Sequence, residues 1–242
     1  MKSMTAKAPV GVIIRRELGA YFASPIAYIV TCLFLLFSGF VFFSTFFISQ
    51  MAELRRFFEF LPILFSFFIP AITMRMFSEE KRSGSFETLL TLPVSTLDVV
   101  MGKYIAALIS SLVMLVPTVL YAITCMLFGS PDMGTIVGGY IGSILLSASY
   151  TAIGLFASSI TKNQIIAFFT SFSICIVLSL LNNFAVIFPG SIVSLVNFIS
   201  ASSHFESVSR GIVDSRDIIY FLSLTLAFFA LTVRTIENSR KG

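Results

Sequence analysis

The run "IAYIVTCLFLLFSGFVFFSTFFI", Ile26 to Ile48, contains no charged residue. An α-helix rises about 1.5 Å per residue, so a run of this length crosses a hydrocarbon core of about 30 Å. Inside lipid each backbone N–H and C=O needs a partner within the protein, and a helix supplies all of them from its own segment. The surrounding chain is of the same character. Only 12% of its 242 residues are charged and its mean hydropathy is +0.96. Soluble domains carry roughly twice that share of charge, so the polar surface here is too small to enclose a globule. The chain reads as an all-α polytopic membrane protein.

Working outward, five further apolar runs are predicted to span, at about 57–76, 104–128, 133–160, 164–188 and 218–233. Pro62, Pro70 and Pro117 lie within spans; neighbouring helices can re-satisfy the carbonyls that proline leaves free. The fourth run is rich in small residues, among them Gly138, Gly139, Gly142 and Gly154, which permit close helix contact. Residues 1–25 form an N-terminal segment, and 26–242 form one six-span domain. Basic residues set orientation. With both termini in the cytoplasm, 12 of the 16 Lys and Arg fall on that side and 4 (Arg55, Arg56, Arg210 and Arg216) on the other. The expected topology is therefore N-in, C-in.

Two segments are neither span nor tight turn. Residues 8–25 carry Arg15, Arg16 and Glu17 and end at Ser24-Pro25, where proline interrupts a helix. Val12, Leu18 and Phe22 are expected to share an apolar stripe on a helix lying at the cytoplasmic interface. Residues 189–217 are too polar to span. Ile192, Leu195, Val196 and Ile199 recur at helical spacing, which predicts a short helix, either dipping into the outer leaflet or packed on the outer face of the bundle.

Composition also excludes functions. No ionisable residue lies in the central part of any predicted span, whereas ion-coupled carriers and voltage sensors place them there. The sole histidine, His204, stands with Glu206 in "SSHFES", and adjacent residues on a short helix rarely converge on one substrate atom, so a catalytic role is not expected. "GSPDMGT", Gly129 to Thr135, has the glycine spacing of a phosphate-binding loop without its lysine. The cysteines, Cys32, Cys125 and Cys175, each lie in an apolar run and read as small hydrophobes, with no metal site expected.

Charge instead gathers between the second and third spans, in "SEEKRSGSFETLLTLPVSTLDVVMGKY", Ser78 to Tyr104. Ser85 is expected to cap a short helix with Glu87 in its first turn, and Pro93 to end it. Ser95 or Thr96 caps the next helix. Leu89, Leu90 and Leu92 give the short helix an apolar face at the mouth of the bundle, either tucked back or awaiting a partner.

This string resembles the cytoplasmic loop of ABC type-2 transporter permeases: an acidic-basic cluster, then G-[ST]-x-E-x-L-L, then proline and a β-branched residue. Glu79, Glu80, Lys81, Gly84, Ser85, Glu87, Leu89, Leu90, Pro93 and Val94 carry the resemblance, with Gly102-Lys103 leading into the third span and Arg82 beside them in the same expected interface. It implies that the loop holds a coupling helix seated in a separate ATP-hydrolysing subunit, with Arg15, Arg16 and Glu17 flanking the same docking surface. It further implies two ATPase subunits that bind ATP and Mg, with no cofactor in this chain. A second permease protomer, identical or homologous, a bacterial inner membrane location, a re-entrant helical segment before the last span and no nucleic-acid partner are also implied. The tail "SSHFESVSRGIVDSRDIIYFLSLTLAFFALT" is similar to small permeases associated with bacterial gliding motility. The expected function is conversion of a partner's ATP hydrolysis into export or extracytoplasmic work. The alternative is a non-transporting scaffold that uses the same ATPase to drive an extracytoplasmic machine.

Overall fold

The computed structural model describes residues 9–49, 53–86, 94–129, 131–184, 190–212 and 214–241, and within them every regular element is helical. α1 (Pro9–Ala23) leads into α2 (Pro25–Ser49), and α3 (Arg55–Thr73) turns into the short α4 (Ser78–Ser83). α5 (Thr96–Leu115) and α6 (Val119–Phe128) are joined by a tight turn over Val116–Thr118. α7 (Met133–Ile160), α8 (Gln164–Phe184), α9 (Gly190–Ile199), α10 (Ala201–Ser209) and α11 (Ser215–Lys241) complete the chain. Six helical stretches among the described residues are long and apolar enough to cross a membrane: 25–48, 55–83, 96–128, 133–160, 164–184 and 215–240.

α7 is the axis of the bundle, packed by α3, α5, α8, α10 and α11. Its small residues explain that position. Gly138, Gly139, Gly142, Ser143, Ser147 and Ser149 are all buried, letting backbones approach closely. Several serine hydroxyls that enter the core pair across helices. Ser111 and Ser147 bond across α5 and α7 at 2.7 Å, and Ser149 donates to the Phe221 carbonyl of α11 at 3.0 Å. α2, α8 and α11 are peripheral, with Phe40, Phe47, Phe169 and Leu226 exposed on outward faces suited to lipid.

Pro117 shows how one residue shapes the path. It lacks an N–H and its ring crowds the carbonyl four residues earlier, so the third span tightens into a single 3-10 turn before continuing. Thr118 compensates by donating to the Leu115 carbonyl at 2.7 Å.

The core falls into two clusters. The larger, including Phe34, Phe58, Phe65, Tyr150 and Phe205, fills the bundle. The smaller joins Met76, Phe77, Phe86, Val99, Leu155 and Ile236, so the end of α11 meets the loop between α3 and α5. The N-terminal helix packs on α5 nearby, which gathers both terminal helices at this loop end of the bundle.

Two helices carry detail beyond the sequence expectation. On α1, Val12 and Phe22 are exposed, and the row turned inward is Ile13, Glu17 and Tyr21, at i, i+4 and i+8. Residues 190–209 form a pair of helices, and the second, α10, buries Ala201, Phe205 and Val208 against the bundle.

Candidate functional site: a charge square at the loop end

The loop end is built around a lysine. α5 begins at Thr96, where the Ser95 hydroxyl accepts from the Asp98 N–H at 3.1 Å, a cap the sequence signals. Lys103 therefore lies two turns inside the helix, and its side chain is 1% exposed. An ammonium has three N–H donors, and here each has an acceptor. Lys103 Nζ reaches Glu17 Oε1 at 3.0 Å, Glu80 Oε1 at 2.9 Å and the Met76 carbonyl at 2.8 Å. Gly102, one residue earlier, makes the approach of α1 possible. A Cβ there would stand 2.7 Å from Ile13 Cγ2.

Arg16 closes the figure. Its Nη2 lies 2.8 Å from Glu17 Oε1 and 2.7 Å from Glu80 Oε1, the same two oxygens that Lys103 binds. Two cations and two carboxylates thus alternate around a square that ties α1, α4 and α5 together. Lys103 forms its buried corner, while Arg16, with a 54% exposed side chain, forms the solvent corner. Burial pushes the Glu17 carboxyl up, but the Lys103 charge and the Arg16 hydrogen bond outweigh it and hold the group below its ordinary range. The hydrogen bond that Arg16 donates to Glu17 holds its guanidinium above its ordinary range.

A second set of contacts fixes the corner between α3 and α4. Ser158 Oγ of α7 accepts from the Phe77 and Ser78 N–H groups at 3.0 and 3.1 Å and donates to the Met74 carbonyl at 2.9 Å. Lys81 Nζ donates to the Ser159 carbonyl and lies 5.1 Å over the Phe86 ring. Gly84 then reverses the chain at φ +75°, a left-handed conformation that glycine adopts without a Cβ clash. A cleft of about 490 Å³ opens beside the square, lined by Arg16, Glu17, Arg75, Glu79, Glu80 and Ser85 among others.

The residues singled out in the sequence divide into three groups. Glu79, Arg82, Gly84, Ser85, Arg15 and Arg16 are exposed at the loop end. Glu17, Glu80 and Lys81 are turned inward and held by the contacts above. Glu87, Leu89, Leu90 and Pro93 lie outside the described residues. Sequence reasoning treated Lys103 as the flank of the third span and passed over Ser158 and Ile236. A lone cation among Val99, Val100, Ala106 and Ala107 was a usable signal, since a charge in an apolar helix requires a partner. At the opposite end, His204 Nδ1 meets Asp217 Oδ1 at 2.6 Å rather than any serine. Among the described residues no cluster of three or more His, Cys, Asp or Glu could hold a metal ion.

Six helices long and apolar enough to cross a membrane define a multi-pass membrane protein. The chain belongs to the ABC-2 family transporter proteins, whose family model matches residues 12–237. It is thus an ABC transporter permease, a match that reaches the family and not the gliding-motility branch. Comparison with curated proteins returns no match.

Proposed function

We propose that this chain is the non-catalytic, membrane-spanning subunit of an ATP-driven exporter, and that its loop end docks a separate ATPase. The observation that carries this reading is the charge square. A surface loop with no mechanical task has no need to bury a lysine between two carboxylates contributed by different helices. Each buried charge carries a desolvation cost of several kcal/mol, offset only by well-placed partners.

In this reading the termini and the loop face the cytoplasm of a bacterial cell, and ATP and Mg are bound by the ATPase. Two ATPase copies act on two permease protomers. Movement imposed on the loop passes through Glu80 to Lys103 and Glu17, so α5 and α1 shift with α4 as one body. Ser158 carries the same displacement into α7, the axis against which the other spans pack. Arg15, Arg82 and Ser85 supply exposed polar contacts for the partner, and Glu87, in the same loop, reads as a further contact.

The test is co-purification from the native host in mild detergent, followed by mass spectrometry of the bound proteins. An ATPase with nucleotide-binding motifs is expected in equal amount and is lost on Glu87→Lys, while the variant still inserts in the membrane. Undiminished ATPase binding by Glu87→Lys removes Glu87 from the contact, and failure to recover any ATPase removes the docking reading.

A further inference from the structure

The sole histidine of the chain, His204, sits on α10 at the far end of the bundle and joins it to two other helices. Its Nδ1 lies 2.6 Å from Asp217 Oδ1 in the first turn of α11, and its Nε2 lies 3.1 Å from the Phe198 carbonyl oxygen of α9. The ring stacks on Tyr220, further along the same turn of α11, with centroids 4.2 Å apart.

Both ring nitrogens thus face acceptors. Phe198 and Ile199 end α9, so their carbonyls have no N–H of that helix to bind. The Tyr220 hydroxyl donates to the Ile199 carbonyl at 2.6 Å, and His204 takes the Phe198 one. Asp217 is 5% exposed, and its Oδ2 is shut off from solvent without a hydrogen bond. A buried carboxylate held this sparsely needs a cation beside it, and among the described residues only His204 reaches it. A neutral imidazole has one N–H, whereas two acceptors ask for two. The geometry therefore calls for the imidazolium, whose charge is also favoured at a helix C-terminus and over an aromatic face.

The other charges at this corner are engaged or open to water. Glu206 pairs with Arg210, Glu59 with Arg55, and Asp214 accepts from the Arg216 N–H at 3.0 Å, while the Arg216 side chain is exposed. α7, α8 and α9 carry no charged side chain. Histidine is the side chain whose charge changes between about pH 5 and 8. On losing a proton the ring keeps the Nδ1–H that Asp217 holds, and Nε2 turns a lone pair toward the Phe198 oxygen. The contact with α11 survives, and the contact with α9 is lost.

We infer that His204 is a proton-operated latch: as the imidazolium it ties the end of α9 to α10 and α11, and its deprotonation releases α9. The latch is closed on the acid side and opens as pH rises. It needs neither ATPase nor a particular orientation; that it answers to extracytoplasmic pH rests on the proposed function.

The experiment uses the full chain, purified through a histidine-free tag into phosphatidylcholine nanodiscs and isotope-labelled at its histidine nitrogens. Every ring signal in the NMR spectrum then comes from His204. Two protonated ring nitrogens are expected at about pH 6, and loss of the Nε2 proton by about pH 9. Hydrogen exchange is read as protection factors, so that its intrinsic pH dependence cancels. Over the same range α9 should lose about tenfold in protection or more, the equivalent of one charge-assisted hydrogen bond, and α10 less than about twofold. His204→Phe keeps the stacking on Tyr220 and removes both N–H groups, so its α9 should be loose at both pH values. Should that variant fail to fold, the wild-type readings alone decide. A ring with one proton at about pH 6, loss of the Nδ1 proton in place of the Nε2 one, α9 protection that does not fall, or wild-type pH dependence in His204→Phe would overturn the inference.

Discussion

Lys103→Met is expected to destabilise the loop end by about 3–5 kcal/mol, the cost of removing one partner from a buried ion pair. Methionine fits the volume, so packing is nearly conserved and the loss is electrostatic. Glu17 Oε1 and Glu80 Oε1 would keep only Arg16, the corner that faces solvent. The reading predicts a signature that packing damage does not. Adding Glu80→Gln to Lys103→Met should recover part of the lost stability, because the second change removes the carboxylate left without its buried partner. The measurement is a double-mutant cycle on melting temperatures in detergent. Strictly additive losses would mean that Lys103 acts through packing alone.

The second large effect is expected at Gly138 of α7. A Cβ at this position would stand 2.4 Å from the Val208 carbonyl oxygen and 3.0 Å from Gly211 Cα. Both are backbone atoms, so no side chain can rotate away, and α10 itself has to move. Gly138→Ala should cost at least the about 1–3 kcal/mol typical of overpacking, and Gly138→Leu more. Gly11→Ala on α1 is the matched control, since nothing lies within 4 Å of the added carbon. Thermal melting of the three variants tests this. A Gly138→Ala protein as stable as wild type would mean that α7 and α10 are not in close contact.

Much of the architecture was readable from the chain because its strongest signal is hydropathy. The uncharged run from Ile26 to Ile48 can be little else than a spanning helix, and α2 covers it. The limits of that signal are equally physical. Hydropathy marks where a chain can meet lipid, not where a helix stops, so it registers the apolar part of α11 and not the polar turns around Glu237. Ile236 there is a single apolar residue among Thr235, Glu237 and Asn238, yet it is buried against the loop cluster.

The same limitation applies to the site. Composition placed Glu80 and Lys81 in a charged, water-facing loop, while their side chains turn inward to Lys103 and Ser159. Which face of α4 points inward depends on tertiary partners contributed by α1, α5 and α7, and a loop's own residues do not encode those. On α1 the apolar stripe Val12, Leu18 and Phe22 was the visible pattern. The row that packs contains Glu17, a charge that periodicity reasoning assigns to water unless its buried partner is already known. In α10 the buried residues Ala201, Phe205 and Val208 keep helical spacing, but the serines, His204 and Glu206 between them dilute the pattern.

The claim on which the account rests is that the end of the bundle carrying the charge square is the end that receives the ATPase. A photo-crosslinking amino acid at Ser83, exposed beside Gly84, tests it directly when compared with the same group at Met133, exposed at the start of α7 on the far end. Irradiation in native membranes followed by mass spectrometry is predicted to give an ATPase adduct from position 83 and none from position 133. An ATPase adduct from position 133, with none from position 83, would contradict the account.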